Sequence, residues 1–489
     1  MGKIKLFFVL FAFVLNAQAQ NNKYEVRAVW LTTIGGIDWP HSYANSAHSI
    51  DRQKQELTAI LDQLRQANIN TVLIQTRVRA TTIFPMQSEP WDGCLSGKPG
   101  TSPGYDALQF AIDECHKRGM QCHAWIVTIP VGKWNTYGCK QLRQKYPRLI
   151  KKIGDEGYMD PEQAETGDYL ARFCREVTRR YDVDGIHLDY IRYPETWKLK
   201  VSRQQGRQYI TSIVRKIHQA VKQEKPWVML SCSPIGKYDD LSRYKSHGWN
   251  ANTTVCQDAQ GWLREGIMDA LFPMMYFQGN NFYPFLVNWK EHSYGRIIAP
   301  GLAVYMLHPR ENNWPLEVIQ REMYVLREQG LGHTFFRSKF LTDNTKDVYT
   351  FTKDFNQHPA LVPPMSWVRK PVPLAPRHMD VRRGITIDAL SWSGARDNSG
   401  GDYLLYNIYA SESYPVDIND NSQLIATRQR HTNLRVQHKG KALNYAVTAT
   451  DRYGNESQPI MTMKANGQNK RRLDMRQLIM GRKYSQFKN

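Results

Sequence analysis

Residues Asp184–Pro194 read DGIHLDYIRYP, and the alternation inside this stretch decides how the chain folds. Gly185, His187 and Asp189 take every second position, with Ile186, Leu188 and Tyr190 between them. A strand sends alternate side chains to opposite faces. One face therefore carries an imidazole and a carboxyl, and the other carries only apolar and aromatic bulk. A carboxylate at the C-terminal end of a buried strand is costly unless it is paired or used. In a (β/α)8 barrel that end is where catalytic residues sit. Asp184, at the start of the strand, suits a structural role, and Asp189 is the candidate for function.

On either side of this stretch, strand-like and helix-like patterns alternate. Seven further strands are expected at Val26–Thr33, Thr71–Arg77, Gln121–Thr128, Trp227–Cys232, Met268–Met275, Arg296–Leu302 and His333–Phe336. The segments between them carry helical spacing: Leu57, Ile60, Leu61, Leu64 and Ala67 form one apolar stripe, and Ile210, Ile213, Val214, Ile217 and Val221 another. Strands separated by helices imply parallel βαβ units. Eight such units over residues 24–360 fit an α/β fold of the (β/α)8 TIM-barrel type. A doubly wound open sheet is the competitor, but Thr32-Thr33-Ile34-Gly35-Gly36 is a poor match to its Gly-rich phosphate turn.

Composition changes near residue 360. Pro363, Pro364, Pro371, Pro373 and Pro376 mark a stiff linker over 361–376. Short alternating segments follow at Ile385–Trp392, Leu404–Ala410 and Asn444–Thr450, ending in Asp451-Arg452-Tyr453-Gly454-Asn455. Residues 377–464 thus resemble a small all-β sandwich of the immunoglobulin-like, fibronectin type III kind, with Trp392, Tyr406 and Tyr445 at core positions. A polar, basic tail occupies 465–489. At the other end, Lys3 and Lys5 precede an apolar run from Leu6 to Leu15, and Ala17-Gln18-Ala19 offers a small-residue cleavage site, so 1–19 read as a secretory signal. The expectation is a secreted or periplasmic protein with no membrane span.

The full sequence has 489 residues and a formal net charge of +20, which favours anionic partners without naming one. No helix-turn-helix, zinc finger or single-strand-binding motif appears, so nucleic acid is not expected. The seven cysteines show no CxxC or Cys/His spacing, and most read as buried free thiols. No coordination pattern requires a metal, and no cofactor is expected.

Several stretches together identify a family. They are EVRAVWLTT at 25–33, INTVLIQTRVRATTIFPMQSEPW at 69–91, GMQCHAWIV at 119–127, GYMDP at 157–161, YDVDGIHLDYIRYP at 181–194, LSCSPIG at 230–236 and GWLREGIMDALFPMMYF at 261–277. In order and spacing they resemble the glycoside-hydrolase-like family ten domain, a barrel group remotely similar to the α-amylase type. The resemblance implies an exported glycoside hydrolase. Some members are similar to enzymes that cut stem-free peptidoglycan strands, so cell-wall glycan or a related amino-sugar polymer is the implied substrate class. The alternative is a catalytically inactive glycan-binding barrel with an accessory type III module, which could contact glycan or protein.

Glycoside hydrolysis needs two carboxyl groups flanking the scissile bond. Asp189 resembles the amylase-type nucleophile at the end of strand four. The Glu that such barrels carry after strand five is missing, since that region reads SCSPIGKYDD. Glu89, after strand two and next to Trp91, is the first candidate for the acid, because an adjacent indole could keep it protonated. Glu195 and Asp258 are reserves. His187 and Arg192 could bind sugar or tune Asp189. Gln75 and Arg77, two apart on strand two, are expected to share a face at the barrel mouth. Trp30, Trp39, Trp91, Trp125 and Tyr276 fall at or past strand ends, where flat rings could carry pyranose C–H faces.

Overall fold

The computed structural model describes residues 22–462 except Lys245, His247 and Gly248. The expected signal segment and basic tail lie outside the described residues.

The first six barrel strands are Arg27–Leu31, Thr71–Val78, Gln121–Val127, Gly185–Asp189, Met229–Cys232 and Ala270–Leu271, each parallel to the next. The seventh is split into Ile297–Ile298 and Gly301–Leu302 by Ala299-Pro300, because proline has no N–H to give the ladder. It is nevertheless bonded on both sides. Ala299 N donates to Leu271 O at 2.9 Å, and Thr334 N donates to Pro300 O at 2.9 Å. The eighth strand, His333–Phe335, pairs with the first through Arg27–His333. The sheet thus curls round on itself with helices outside it, resembling a TIM barrel. Every residue of strands one, two, four and five is buried, as expected of a parallel sheet covered on both faces.

The helices follow from their stripes and caps. Helix Ala47–Gln66 starts at Ser46, which exchanges hydrogen bonds with Ser49 in a capping box, and turns Leu57, Leu61 and Leu64 inward. Helix Arg203–Glu224 is capped by Ser202 and buries Ile210, Ile213, Val214, Ile217 and Val221. The core inside the sheet includes an aromatic level. Trp30, His187, Phe272 and Phe336 meet edge to face at centroid distances of 5.2–6.3 Å.

A second β-unit follows the barrel. One sheet has the order Arg377–Arg382, Ile387–Ser393, Asn433–Gln437, and the other Leu424–Gln429, Leu405–Ser411, Asn444–Thr450, Ile460–Met461. Neighbouring strands within each sheet are antiparallel, and Leu390, Trp392, Tyr406, Ile408, Tyr445 and Val447 share one core. This unit lies against the N-terminal end of the barrel. Arg452 Nη1 reaches Asp182 Oδ1 at 2.7 Å, Tyr403 Oη donates to Asp182 Oδ2 at 2.6 Å, and Arg428 pairs with Asp184 at the start of strand four. The proline-rich stretch is woven into the same contact: Met365 is buried, and Trp367 Nε1 donates to Asp269 Oδ1 at 2.9 Å.

Candidate active site

Asp189 ends strand four at the C-terminal mouth of the barrel, 8% exposed. Three donors hold its carboxyl. Trp125 Nε1 gives to Oδ2 at 3.1 Å, Ser233 Oγ gives to Oδ1 at 3.0 Å, and the N–H of Tyr190 gives to Oδ1 at 2.8 Å. The last bond depends on Tyr190 adopting φ +53°, a left-handed conformation uncommon for a residue with a side chain and of the kind that clusters at functional sites. No cation lies within 4 Å of Asp189 among the described residues. Burial raises its pKa, and the hydrogen bonds and the more distant Arg192 oppose that rise.

His187, one level deeper, is fully buried and has both nitrogens engaged. Trp30 Nε1 donates to its Nε2 at 3.2 Å, which leaves the proton on Nδ1, facing Ser231 Oγ at 3.0 Å. Burial holds its pKa well below the usual value, so the ring is neutral. It is part of the barrel filling rather than a sugar contact. Trp30, at 1% exposure, shares that role, and Trp39 is wholly buried with its Nε1 giving to Gln53 O at 2.8 Å. Neither can serve as a sugar platform. Trp125 is 4% exposed, so it acts as the donor that fixes Asp189. Trp91 and Tyr276 are half-buried. Tyr276 feels the charge of Asp189 and stacks obliquely on Phe336 with centroids 5.4 Å apart.

Strand two departs from its expected alternation. A register shift between Gln75 and Arg77, opposite Trp125 and Ile126, inserts Thr76 as a bulge and breaks the shared face. Gln75 Oε1 accepts from Thr33 N at 3.1 Å and Ile34 N at 2.9 Å, pinning the loop after strand one. Arg77 packs under helix Ala164–Arg180, with its guanidinium 5.5 Å from the Phe173 ring centroid. There it grips Glu89. Nε reaches both carboxyl oxygens at 2.9 Å and Nη2 reaches Oε1 at 2.6 Å, while Tyr169 Oη also donates to Oε1 at 2.7 Å. Glu89 is fully enclosed in this fork. The expectation of an acid at the mouth beside an indole does not match this geometry, because both oxygens of Glu89 are enclosed by Arg77 and Tyr169 with no exposed surface to meet a substrate.

The reserve carboxyls differ. Asp258 caps helix Ala259–Arg264, accepting from Gly261 N at 3.0 Å and from Tyr238 Oη, so it is a structural group. Glu195 lies on the loop after strand four with its side chain 20% exposed, and Arg192 Nη2 donates to its Oε1 at 2.7 Å. Arg192 is itself 2% exposed, with its guanidinium 4.1 Å above the Tyr190 ring. The mouth therefore gathers Asp189, Trp125, Tyr276, Arg192 and Glu195, and leaves out Glu89, Arg77, Gln75, Trp39 and Asp258.

Ser231 and Ser233 were missed as functional residues, yet the sequence carries their signal. Ser231 on strand five and Ser233, one residue past its end, alternate as His187 and Asp189 do on strand four, and His187 and Ser231 are register partners. An H-x-D strand beside an S-x-S strand sets one hydroxyl against each polar side chain. Among the described residues no group of three or more His, Cys, Asp or Glu could hold a metal, and no helix is long and apolar enough to cross a membrane. All seven cysteines are buried and free.

A family model described as "Glycosyl hydrolase-like 10" matches residues 25–205 and 198–288, which contain Asp189 and both serines. The chain belongs to the glycosyl hydrolase-like 10 family. It is similar to "Glycosyl hydrolase YngK" of Bacillus subtilis (strain 168), 28% identical over 93% of this chain and 95% of the relative. It is also similar to "Glycosyl hydrolase DigH" of Escherichia coli (strain K12), 30% identical over 53% of this chain and 67% of the relative. Among solved structures it is similar to alpha-L-fucosidase isoenzyme 2 from Paenibacillus thiaminolyticus, with 13% identity and a TM-score of 0.45 over 72% of this chain. The match spans about half, 51%, of that fucosidase chain.

Proposed function

We propose that this protein is an exported glycoside hydrolase that cleaves a bacterial cell-wall glycan, stem-free peptidoglycan strands or a related amino-sugar polymer. The observation that carries the reading is Asp189: a carboxyl at the barrel mouth, free of any close cation among the described residues and held by three donors on three strands or turns. Those donors favour an oxygen pair that accepts charge, which suits attack on, or stabilisation of, an oxocarbenium-like centre. Glu195 replaces Glu89 as the second carboxyl, since it lies on the same rim with one oxygen not engaged by Arg192. Arg192 then positions Glu195 and acts on Asp189 only at longer range. Membership of a glycosyl hydrolase-like family supports the reaction class, and the features of residues 1–19 support export.

The test is incubation of the full chain with stem-free glycan strands and mass analysis of the products. Cleavage by the wild type but not by Asp189→Asn or Glu195→Gln is expected. A second reading, a glycan-binding barrel without catalysis, is favoured by the enclosure of Glu89 and the absence of a Glu after strand five. Retention on the polymer with no new reducing ends would establish it. The C-terminal unit is read as a fibronectin type III-like module, supported by its three-strand and four-strand antiparallel sheets and by Trp392 packed at 5.5 Å from Tyr406. Its docking at the end of the barrel remote from Asp189 makes it a spacer or a second contact rather than part of the site.

A further inference from the structure

The three-stranded sheet of the C-terminal unit has the order Arg377–Arg382, Ile387–Ser393, Asn433–Gln437, and its pairing fixes which side chains share a face. On the central strand Asp388, Leu390 and Trp392 are buried, so Ile387, Ala389, Ser391 and Ser393 point outward. Ala389 is paired with Arg382 on one side and Arg435 on the other, and Ser391 with Asp380 and Asn433. Partners directly across an antiparallel ladder share a face. Exposure agrees: Arg382, Asp380, Arg435 and Asn433 are exposed, whereas Val381, Leu434 and Val436 between them pack on the core. Arg377, beyond an irregularity in the register, stands opposite Ser393. The barrel meets the other sheet, where Arg428 pairs with Asp184 and Thr427 Oγ1 donates to Gly119 O at 3.4 Å.

Two arginines thus stand in one row, two strand spacings or about 10 Å apart, with an alanine between them. Arg377 is set four residues further along the central strand, about 13 Å away. The Arg382 side chain is 89% exposed, and its 3.9 Å contact with the exposed Asp380 is worth little. Arg377 and Arg435 are exposed and make no ion pair among the described residues. Between these cations the central strand shows only Ala389, Ser391 and Ser393, not the β-branched or aromatic side chains that suit such positions. Charged edge strands guard a sheet against edge-to-edge pairing, but that duty does not call for a low central strand. A low strip with hydroxyls along it and guanidinium heads on both sides is the complement of one extended, hydroxyl-rich chain that carries anions.

We propose that this outer face binds an anionic polysaccharide, a chain with carboxylates along its length. The polymer lies over Ala389, Ser391 and Ser393, with Arg382 and Arg435 on either side and Arg377 further along. The face is a tether, since the unit that carries it docks at the end of the barrel remote from Asp189. The proposal goes beyond the hydrolase reading and does not depend on it. It also gives part of the +20 net charge a task.

The test uses polygalacturonate as the probe and its methyl ester as the neutral control, neither of them an amino-sugar polymer. Affinity electrophoresis at low and high salt compares the full chain, an Arg382→Glu/Arg435→Glu variant and an Arg172→Glu/Arg179→Glu variant. The last makes the same change of net charge at exposed positions on helix Ala164–Arg180. The wild type is expected to be retarded by the acid polymer and not by the ester, and to lose that retardation as salt rises. Reversing Arg382 and Arg435 should weaken binding about tenfold, the size expected of two exposed charges, with unchanged melting. The helix variant should bind as the wild type does. If the reversal disturbs folding, Arg382→Gln/Arg435→Gln takes its place. Equal retardation by the ester, equal weakening in the helix variant, or unaltered affinity in a folded face variant overturns the proposal. Binding to phosphatidylglycerol–phosphatidylcholine vesicles without binding to the acid polymer overturns it in favour of a lipid headgroup. Turnover on stem-free glycan strands is scored separately: its absence in the wild type would sink the hydrolase and spare this face, and failure of polymer binding alone would do the reverse.

Discussion

Replacing Glu89 by glutamine separates a structural carboxylate from a catalytic one. Glu89 is enclosed with Arg77, whose remaining hydrogen bonds go to the carbonyls of Val127 and Thr128. The substituted side chain would keep roughly the same shape but would turn an amide towards a fork of N–H donors and leave the guanidinium without a counter-charge. Breaking one partner out of a buried pair costs about 3–5 kcal/mol. At about 2 °C per kcal/mol for a chain of this size, the expected loss is roughly 6–10 °C in Tm. Asp189→Asn is milder. Because burial raises its pKa, ionising Asp189 costs the folded state, so the stability it contributes falls as pH rises through that value. The amide removes that cost but turns its NH2 towards a donor, Trp125 Nε1 or the Tyr190 N–H, so it should lose less Tm at pH 7 than Glu89→Gln, yet abolish turnover. Circular dichroism melts of the full chain and turnover on glycan strands measure both variants. A double replacement, Arg77→Met with Glu89→Leu, should recover most of the loss, because removing both charges leaves nothing uncompensated. Glu89→Gln melting like the wild type while losing all turnover would refute the reasoning and restore Glu89 as the acid.

Ser233→Ala removes one of the three donors that favour ionised Asp189, so the acid limb of the pH–rate profile should move to higher pH, and an unshifted limb would count against this hydrogen bond. Glu25 is pulled by Arg27 and Arg327, against the effect of burial, from 4.5 down to about 2. The unfolded chain therefore binds more protons between those values, and stability should be whole above about pH 4.5 and drain as pH falls towards 2, a window that Glu25→Gln should flatten in acid-denaturation curves. Arg452→Ala should leave Asp182 with weaker ties to the β-sandwich and should speed proteolysis near residues 361–376 without lowering turnover; lost activity would place the sandwich in catalysis.

The barrel was legible because its evidence is periodic. All eight expected strands occur, and the two helical stripes face inward as read. Strand ends were less legible: Met268–Met275 shrinks to Ala270–Leu271, since Pro273 cannot extend the ladder. The site was legible where a side chain's place follows from alternation alone, as for His187 and Asp189. It was not legible where one extra residue reverses a face. Thr76 is that residue on strand two, and no propensity distinguishes a bulged Thr from a regular one. Everything read from the shared face of Gln75 and Arg77 changed with it. Glu89 failed for a related reason, since its partner Arg77 was placed at the mouth, leaving nothing to neutralise the carboxylate but an indole. Tryptophans at strand ends were equally ambiguous, because the ring that carries a sugar and the ring that fills a barrel have the same sequence address.

Strand four itself makes the strongest case for function. Asp184 and Asp189 lie five residues apart, roughly 16 Å of extended chain. Asp184 meets Arg428 and His116, with Arg452 at 3.6 Å, and although burial pushes its pKa up, the arginines and the His116 hydrogen bond hold it well below the carboxylate range. Asp189 has no such cation among the described residues, and its pKa is raised. A fold that needed Asp189 only for stability would have paired it, as it paired Asp184, or replaced it with a neutral amide able to keep the Ser233 contact. A carboxyl left buried at the barrel mouth with hydrogen-bond donors but no cation is a standing cost. Selection for chemistry explains why the cost persists. If Asp189→Asn left both turnover and glycan affinity intact, that explanation would fail at its root.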